Sequence, residues 1–341
     1  MPELRYDPLR LRWTIISTER GRRPHEYVTK REEPQKDTCP FCYGKESLTP
    51  PEVFAIADRE REPNTPGWKI RVVPNKFPAL RIEGELKREG VGLFDVVNGI
   101  GAHEVIIETP HHNLNLADAP DELIKDILFA YRERLRDLRK DPRFRYILIF
   151  KNHGLEAGAS LSHPHSQLIA TPIIPPVVVA ELNSAREYYI RKERCIFCDI
   201  LKEELMLKER VVWEDEDYVI WEPFASSFPF ETWIFPKRHL HDFALLEEFE
   251  LIKLASVVKE MLKRIKILLN DPPYNMVLHT SPSPHPRPAR PYYWTTLQFD
   301  YHWHIELIPR ITRIAGFEWG SGLHINPTPP EEAAKYLREL V

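Results

Sequence analysis

At 341 residues the chain is too long for one ordinary domain and suits two of about 150–200 residues each. Hydrophobic residues at 43% and charged residues at 29% give a globular profile, and a net charge of −4 offers no basis for nucleic-acid or membrane recognition. No apolar run reaches the roughly 18 residues of a spanning helix, and the N-terminus lacks a charged-then-apolar leader, so a cytoplasmic enzyme is expected.

Cys39-Pro-Phe-Cys42 comes first. A strand is expected over 103–110, where His103-Glu-Val-Ile-Ile-Glu-Thr-Pro110 leads into His111 and His112. The recurrence of Leu123, Ile124, Ile127, Leu128, Tyr131, Leu135 and Leu138 predicts a helix over 121–140, with Asp118 as its cap and Asp141-Pro142 as its stop. A further strand follows over 145–150, and the half ends in His163-Pro-His165. Asn183 to Lys192 reads as a connecting helix across a junction near 182–194.

The second half repeats this order: Cys195-Ile-Phe-Cys198, a strand-like run from Phe230 to Pro236 before His239, a helix from Glu250 to Leu269, a strand at 276–278 and His302-Trp-His304. Even Glu-Leu-Ile-Lys recurs, at 122–125 and 250–253. A repeat of this kind fixes architecture. The expected fold is α+β, in two histidine-triad-like halves, 1–185 and 186–341, each an antiparallel sheet with helices.

Two C-x-x-C pairs in a cytosolic chain point to metal or redox chemistry rather than structural disulfides. Neither sits clearly at a helix start in a βαβ context, which argues against a thioredoxin-type role. The duplication supplies histidines to complete two closed zinc sites, Cys39, Cys42, His112 and His163 in the first half and Cys195, Cys198, His239 and His302 in the second. No role is assigned to His25, His153, His241, His285 or His324.

Residues two apart on an extended strand share a face, so His163 can bind metal while His165 projects into the neighbouring pocket. A neutral imidazole there can attack phosphorus and form a covalent intermediate. Gln167, on the same face, can contact phosphoryl oxygens, and the run Gly158 to Ser162 offers backbone donors and hydroxyls.

The segment from Asn152 to Gln167, closing on His-Pro-His-Ser-Gln, resembles the active-site signature of the galactose-1-phosphate uridylyltransferase family, part of the histidine-triad superfamily. The N-terminal segment Arg5-Tyr-Asp-Pro-Leu, the segment Val73-Pro-Asn-Lys-Phe77, and Ala315-Gly-Phe-Glu318 are similar to that family as well, so the likeness spans nearly the whole chain. The resemblance implies a uridylyl exchange between UDP-glucose and galactose 1-phosphate, with His165 as nucleophile and Gln167 as phosphate ligand. It implies phosphate contacts at Asn152 and Ser160 and a nucleotide pocket at Asn75 and Phe77. It also implies a homodimer in which Arg20, Arg23, Phe317 and Glu318 hold the hexose phosphate across the interface.

Some members of the family hold a second metal with residues matching Glu181, His279, His302 and His304. His302 cannot serve two sites, and thiolates outcompete a carboxylate for zinc, so the Cys2His2 set is favoured. An adenylyltransferase or ADP-glucose phosphorylase on the same scaffold is the nearest rival; a zinc-ribbon binding protein is a rival of another class. A nucleotide hydrolase fits less well, because Gln167 stands where hydrolytic relatives tend to carry a third histidine.

Overall fold

The computed structural model describes residues 2–18, 39–286 and 294–340. It opens on a hairpin of β1 (Glu3–Asp7) and β2 (Arg12–Ile16). Then come β3 (Phe54–Ala57), β4 (Trp68–Pro74), the exposed hairpin β5 (Arg88–Val91) and β6 (Phe94–Val97), and β7 (Ala102–Ile107). Helix α1 (Asp121–Leu138), β8 (Tyr146–His153) and β9 (His165–Thr171) complete the first half. Helix α2 (Pro176–Lys192) crosses to the second half. There α3 (Ile196–Leu207) and strands β10 (Val211–Glu214), β11 (Tyr218–Trp221) and β12 (Thr232–Pro236) precede α4 (Glu248–Leu269) and β13 (Tyr274–His279). The chain closes with α5 (Leu297–Asp300), β14 (His304–Pro309), α6 (Gly316–Ser321), β15 (His324–Asn326) and α7 (Pro330–Arg338).

The two expected sheets are one. Ten antiparallel strands run β10-β11-β12-β14-β13-β8-β9-β7-β4-β3, so each half contributes five strands in the same order. The halves meet at their equivalent strands, with Asn275 opposite Asn152 and Val277 opposite Phe150. The α+β class and the duplication hold, and the halves share a backbone hydrogen-bond ladder where separate sheets were expected.

One face is covered by α1 and α4. Ile124, Ile127, Leu128 and Leu135 of α1 and Leu251, Leu254, Val258 and Leu262 of α4 pack in one buried cluster over both halves of the sheet. Their periodicity is what made these helices legible. Glu247 and Glu250 form a capping box at the start of α4. The first helix begins differently from expectation: Pro120 stands at its N-cap, while Asp118 closes a short 3₁₀ turn and pairs with Lys266. The connecting helix starts seven residues early, at Pro176, where proline's fixed φ suits a first turn.

On the opposite face α2 and α3 cover the second half through Val178, Leu182, Phe197 and Leu201 against Trp221 and Phe235. Over the first half that face carries a smaller apolar patch of Trp68, Val73, Val105 and Ile107. The candidate site lies beside it.

Candidate active site and metal centres

Two clusters follow from the duplication. Cys39, Cys42, His112 and His163 present donor atoms within 4.8 Å of one another, as do Cys195, Cys198, His239 and His302. Cys42 Sγ lies 3.2 Å from His112 Nδ1 and 3.7 Å from His163 Nδ1; Cys198 Sγ lies 3.2 Å from His239 Nδ1 and 3.8 Å from His302 Nδ1. The other ring nitrogens are tied down. His163 Nε2–H donates to the Thr109 carbonyl (2.8 Å), His239 Nε2–H to Gln298 (3.0 Å) and His302 Nε2–H to Arg238 (3.1 Å). Carbonyls only accept, so each Nδ1 lone pair faces sulfur, the arrangement that orients metal-ligating histidines.

Burial pushes His163 down to about 4, and the Cys195 thiol together with the two imidazoles pulls Cys198 well below a free thiol. None of the four cysteines is in a disulfide. A tetrahedral zinc site spaces sulfur and nitrogen ligands by about 3.5 Å, so both sets fit zinc in closed, structural coordination. The second pair does open a helix, contrary to expectation, since Cys195 caps α3. Its neighbours are helices, the buried His302 and the half-buried His239 rather than a βαβ unit.

The strand begins at His165, not at His163. His165 Nδ1 lies 2.8 Å from the His163 carbonyl, so Nδ1 carries the hydrogen and Nε2 holds the lone pair. Burial, with the Lys151 ammonium adding to it, lowers the pKa of His165, so the ring is neutral and nucleophilic near pH 7.

Lys151 is a buried lysine on the far side of the strand, unnoticed in the sequence. Its Nζ donates to Glu108 (2.6 Å) and to the His165 carbonyl (3.3 Å). Ser166 reaches the same carboxylate, and Tyr131 reaches Ser166. This network fixes the backbone that carries His165.

The Gln167 and Asn152 amides are oriented by residues that sequence reasoning missed. Ala79 N–H donates to His103 Nδ1 (3.1 Å), which leaves the hydrogen of the neutral ring on Nε2, 2.9 Å from Gln167 Oε1. The Gln167 oxygen is therefore engaged and its NH2 is presented. Asn275 Nδ2 donates to the Ala157 carbonyl and to Asn152 Oδ1, both at 2.8 Å, so Asn152 likewise turns its NH2 outward. Neither amide can flip without losing its partner. The result is a pair of donors suited to phosphoryl oxygens.

A cleft of about 590 Å³ opens beside His165, lined by Asn152, Lys151, Ser162, Gly154 and, from α4, Lys266. His153, given no role from sequence, lines it too, 3.4 Å from Asp271 and stacked on Tyr274. Asn75 follows β4; its Nδ2 lies 3.1 Å from His103 Nε2, and its Oδ1 accepts from Phe77 N–H. Phe77 is exposed, as is Ser160 in the loop before His163. Phe317 and Glu318 sit on α6 and do not line the cleft. Arg20 and Arg23 lie outside the described residues.

The N-terminal domain profile of the galactose-1-phosphate uridyl transferase family matches residues 1–175, and the C-terminal domain profile matches 181–340. The chain is 38% identical to an ADP-glucose phosphorylase of Arabidopsis thaliana over 99% of its own length and 93% of that relative. It is 32% identical to a galactose-1-phosphate uridylyltransferase of Thermotoga maritima over 99% and 98%. A crystal structure of the Arabidopsis ADP-glucose phosphorylase with bound ADP-glucose superposes with a TM-score of 0.83 at 35% identity, covering 100% of both chains. A uridylyltransferase structure superposes at 0.75 and 31% identity, covering 99% and 97%.

Proposed function

Because the chain belongs to the galactose-1-phosphate uridylyltransferase family, we propose that it exchanges a uridylyl group between UDP-glucose and galactose 1-phosphate. The observation that carries the chemistry is His165, whose Nδ1 is locked to the His163 carbonyl and whose Nε2 lone pair is free to attack. In the first half-reaction Nε2 bonds to the α-phosphorus and the bond to the sugar phosphate oxygen breaks, releasing a sugar 1-phosphate. In the second, a phosphate oxygen of the acceptor attacks the same phosphorus and the N–P bond breaks, freeing His165. The presented NH2 groups of Gln167 and Asn152 stabilise charge on the phosphoryl oxygens, and Ser160 adds a hydroxyl. Zinc, held by each Cys2His2 set, would supply rigidity around His163 and His302 and no chemistry.

The catalytic unit is assigned to residues 1–185, and 186–341 to its duplicate. Asn75 and Phe77 hold the base. Arg20, Arg23, Phe317 and Glu318 hold the hexose phosphate across a homodimer interface in the cytoplasm. Among the described residues no helix is long and apolar enough to cross a membrane.

A second reading is favoured by the Arabidopsis matches: adenylyl transfer from ADP-glucose to inorganic phosphate, the chemistry of a phosphorylase. Both readings share His165 and part at the base and acceptor. A panel of UDP-glucose and ADP-glucose against galactose 1-phosphate and inorganic phosphate decides between them. Preferred turnover of the UDP-glucose and galactose 1-phosphate pair supports the first reading; the ADP-glucose and phosphate pair replaces it with the second.

A further inference from the structure

The second half has its own counterpart of the nucleophile, and its surroundings are unlike the first. His304 Nδ1 lies 3.1 Å from the His302 carbonyl, repeating the His165–His163 contact, so its Nε2 also carries a lone pair. Where His165 meets a cleft, His304 meets carboxylates: Nε2 stands 3.2 Å from Glu306 and 4.0 Å from Glu181. His279 Nδ1–H donates to Glu181 at 3.0 Å, leaving its Nε2 toward Glu306 at 3.9 Å. These four buried side chains bring ligand atoms within 4.8 Å of one another, two imidazoles against two carboxylates. Such a cluster demands a cation.

The resemblance implies a metal ion at this place in some relatives. Two observations show that this chain departs from them. His302 faces the Cys195–Cys198 pair instead. A guanidinium is also already there: Arg10, from the turn between β1 and β2, is buried with Nη1 3.1 Å from Glu231 and Nε 3.6 Å from Glu181. Its Nη2 bonds Glu306, its plane lies 4.7 Å over Trp233, and its Nε has no hydrogen-bond partner. A divalent ion on Glu181 and Glu306 would sit against that fixed positive charge.

We infer that Arg10 is the resident cation of the Glu181–His279–His304–Glu306 cluster and keeps a latent divalent-metal site closed. The second copy of the active-site strand has thus become a tie, binding the N-terminal hairpin to β12, β14 and α2. Methionine at position 10 removes the charge at similar volume and leaves two imidazole nitrogens and two carboxylates open to an ion.

The test is metal content by elemental analysis after equilibration with Mn²⁺ and gel filtration, with melting temperature read in parallel. Wild type and Arg10→Lys are expected to hold no manganese and to melt alike with and without Mn²⁺. Arg10→Met is expected to hold one manganese per chain and to melt higher with it. A folded Arg10→Met that takes up no manganese overturns the inference. If that variant does not fold, anomalous scattering at the manganese edge from wild-type crystals soaked in Mn²⁺ decides. A peak among the four side chains overturns the inference, and guanidinium density without one supports it.

Discussion

At the scale of single residues, the site depends on which end of each polar group is free. His165→Ala should abolish transfer and leave no nucleotidyl label after incubation with the sugar nucleotide alone, while retaining zinc. His165→Gly should regain activity with added imidazole, since the freed space holds a soluble copy of the nucleophile. His163→Ala should lose zinc and local order; mass spectrometry and elemental analysis separate the two, and a label mapping to His163 would refute the scheme. His103 and Asn275 act one step back, as positioning residues. Removing either lets an amide flip, a loss of one neutral hydrogen bond worth about 1 kcal/mol, or roughly a fivefold fall in kcat. His103→Ala and Asn275→Ala should lower kcat by that order with unchanged melting temperature, and His103→Gln, which keeps a donor, should recover part of it. An unchanged kcat in both would show that the amides are oriented by substrate instead.

At the scale of elements, the seam between β8 and β13 sets the geometry of the cleft. Gly154 follows β8 at φ 81° and ψ 154°, a region open essentially to glycine, and an added Cβ would stand 2.9 Å from Pro273 Cβ. Gly154→Ala should therefore cost about 1–3 kcal/mol in denaturant unfolding and weaken substrate binding by displacing the 155–160 turn. An alanine variant as stable as the parent would mean that the turn accommodates the change. Helices α1 and α4 were legible because their apolar stripes recur every three to four residues and each packs on a sheet. The cap was less so, because Asp118 and Pro120 both suit a helix start, and Asp118 instead ends the preceding 3₁₀ turn and pairs with Lys266, 148 residues away. The hairpin β1–β2 escaped notice, since five-residue strands without strict alternation give little signal.

At the scale of the whole molecule, one sheet joins two Cys2His2 clusters and a cross-half cleft. Purified protein should contain close to two zinc ions per chain. Stripping them with a strong chelator should lower the melting temperature by on the order of 10 °C, because closed zinc sites contribute folding free energy directly. Protein without zinc, or one that melts unchanged after chelation, would remove both assignments. If hexose phosphate is held by Arg20, Arg23 and Glu318 of a second copy, specific activity should fall on dilution through the dimer dissociation range. Full activity of a monomer at nanomolar concentration would contradict this.

The sequence by itself determined the duplication, the two Cys2His2 sets and the His-Pro-His-Ser-Gln segment. Each is a pattern of residue types at fixed spacing, and spacing survives in one dimension. Tertiary structure alone decided that the halves share a sheet, because pairing of β8 with β13 is a register between segments over a hundred residues apart. It also decided which amide ends are engaged, since His103 and Asn275 reach Gln167 and Asn152 only across strands. Arg10 belongs with these: in the sequence it is one arginine in a basic stretch, and only the fold buries it among three glutamates. A buried charge must find its partners wherever the chain brings them, and sequence distance carries no trace of that.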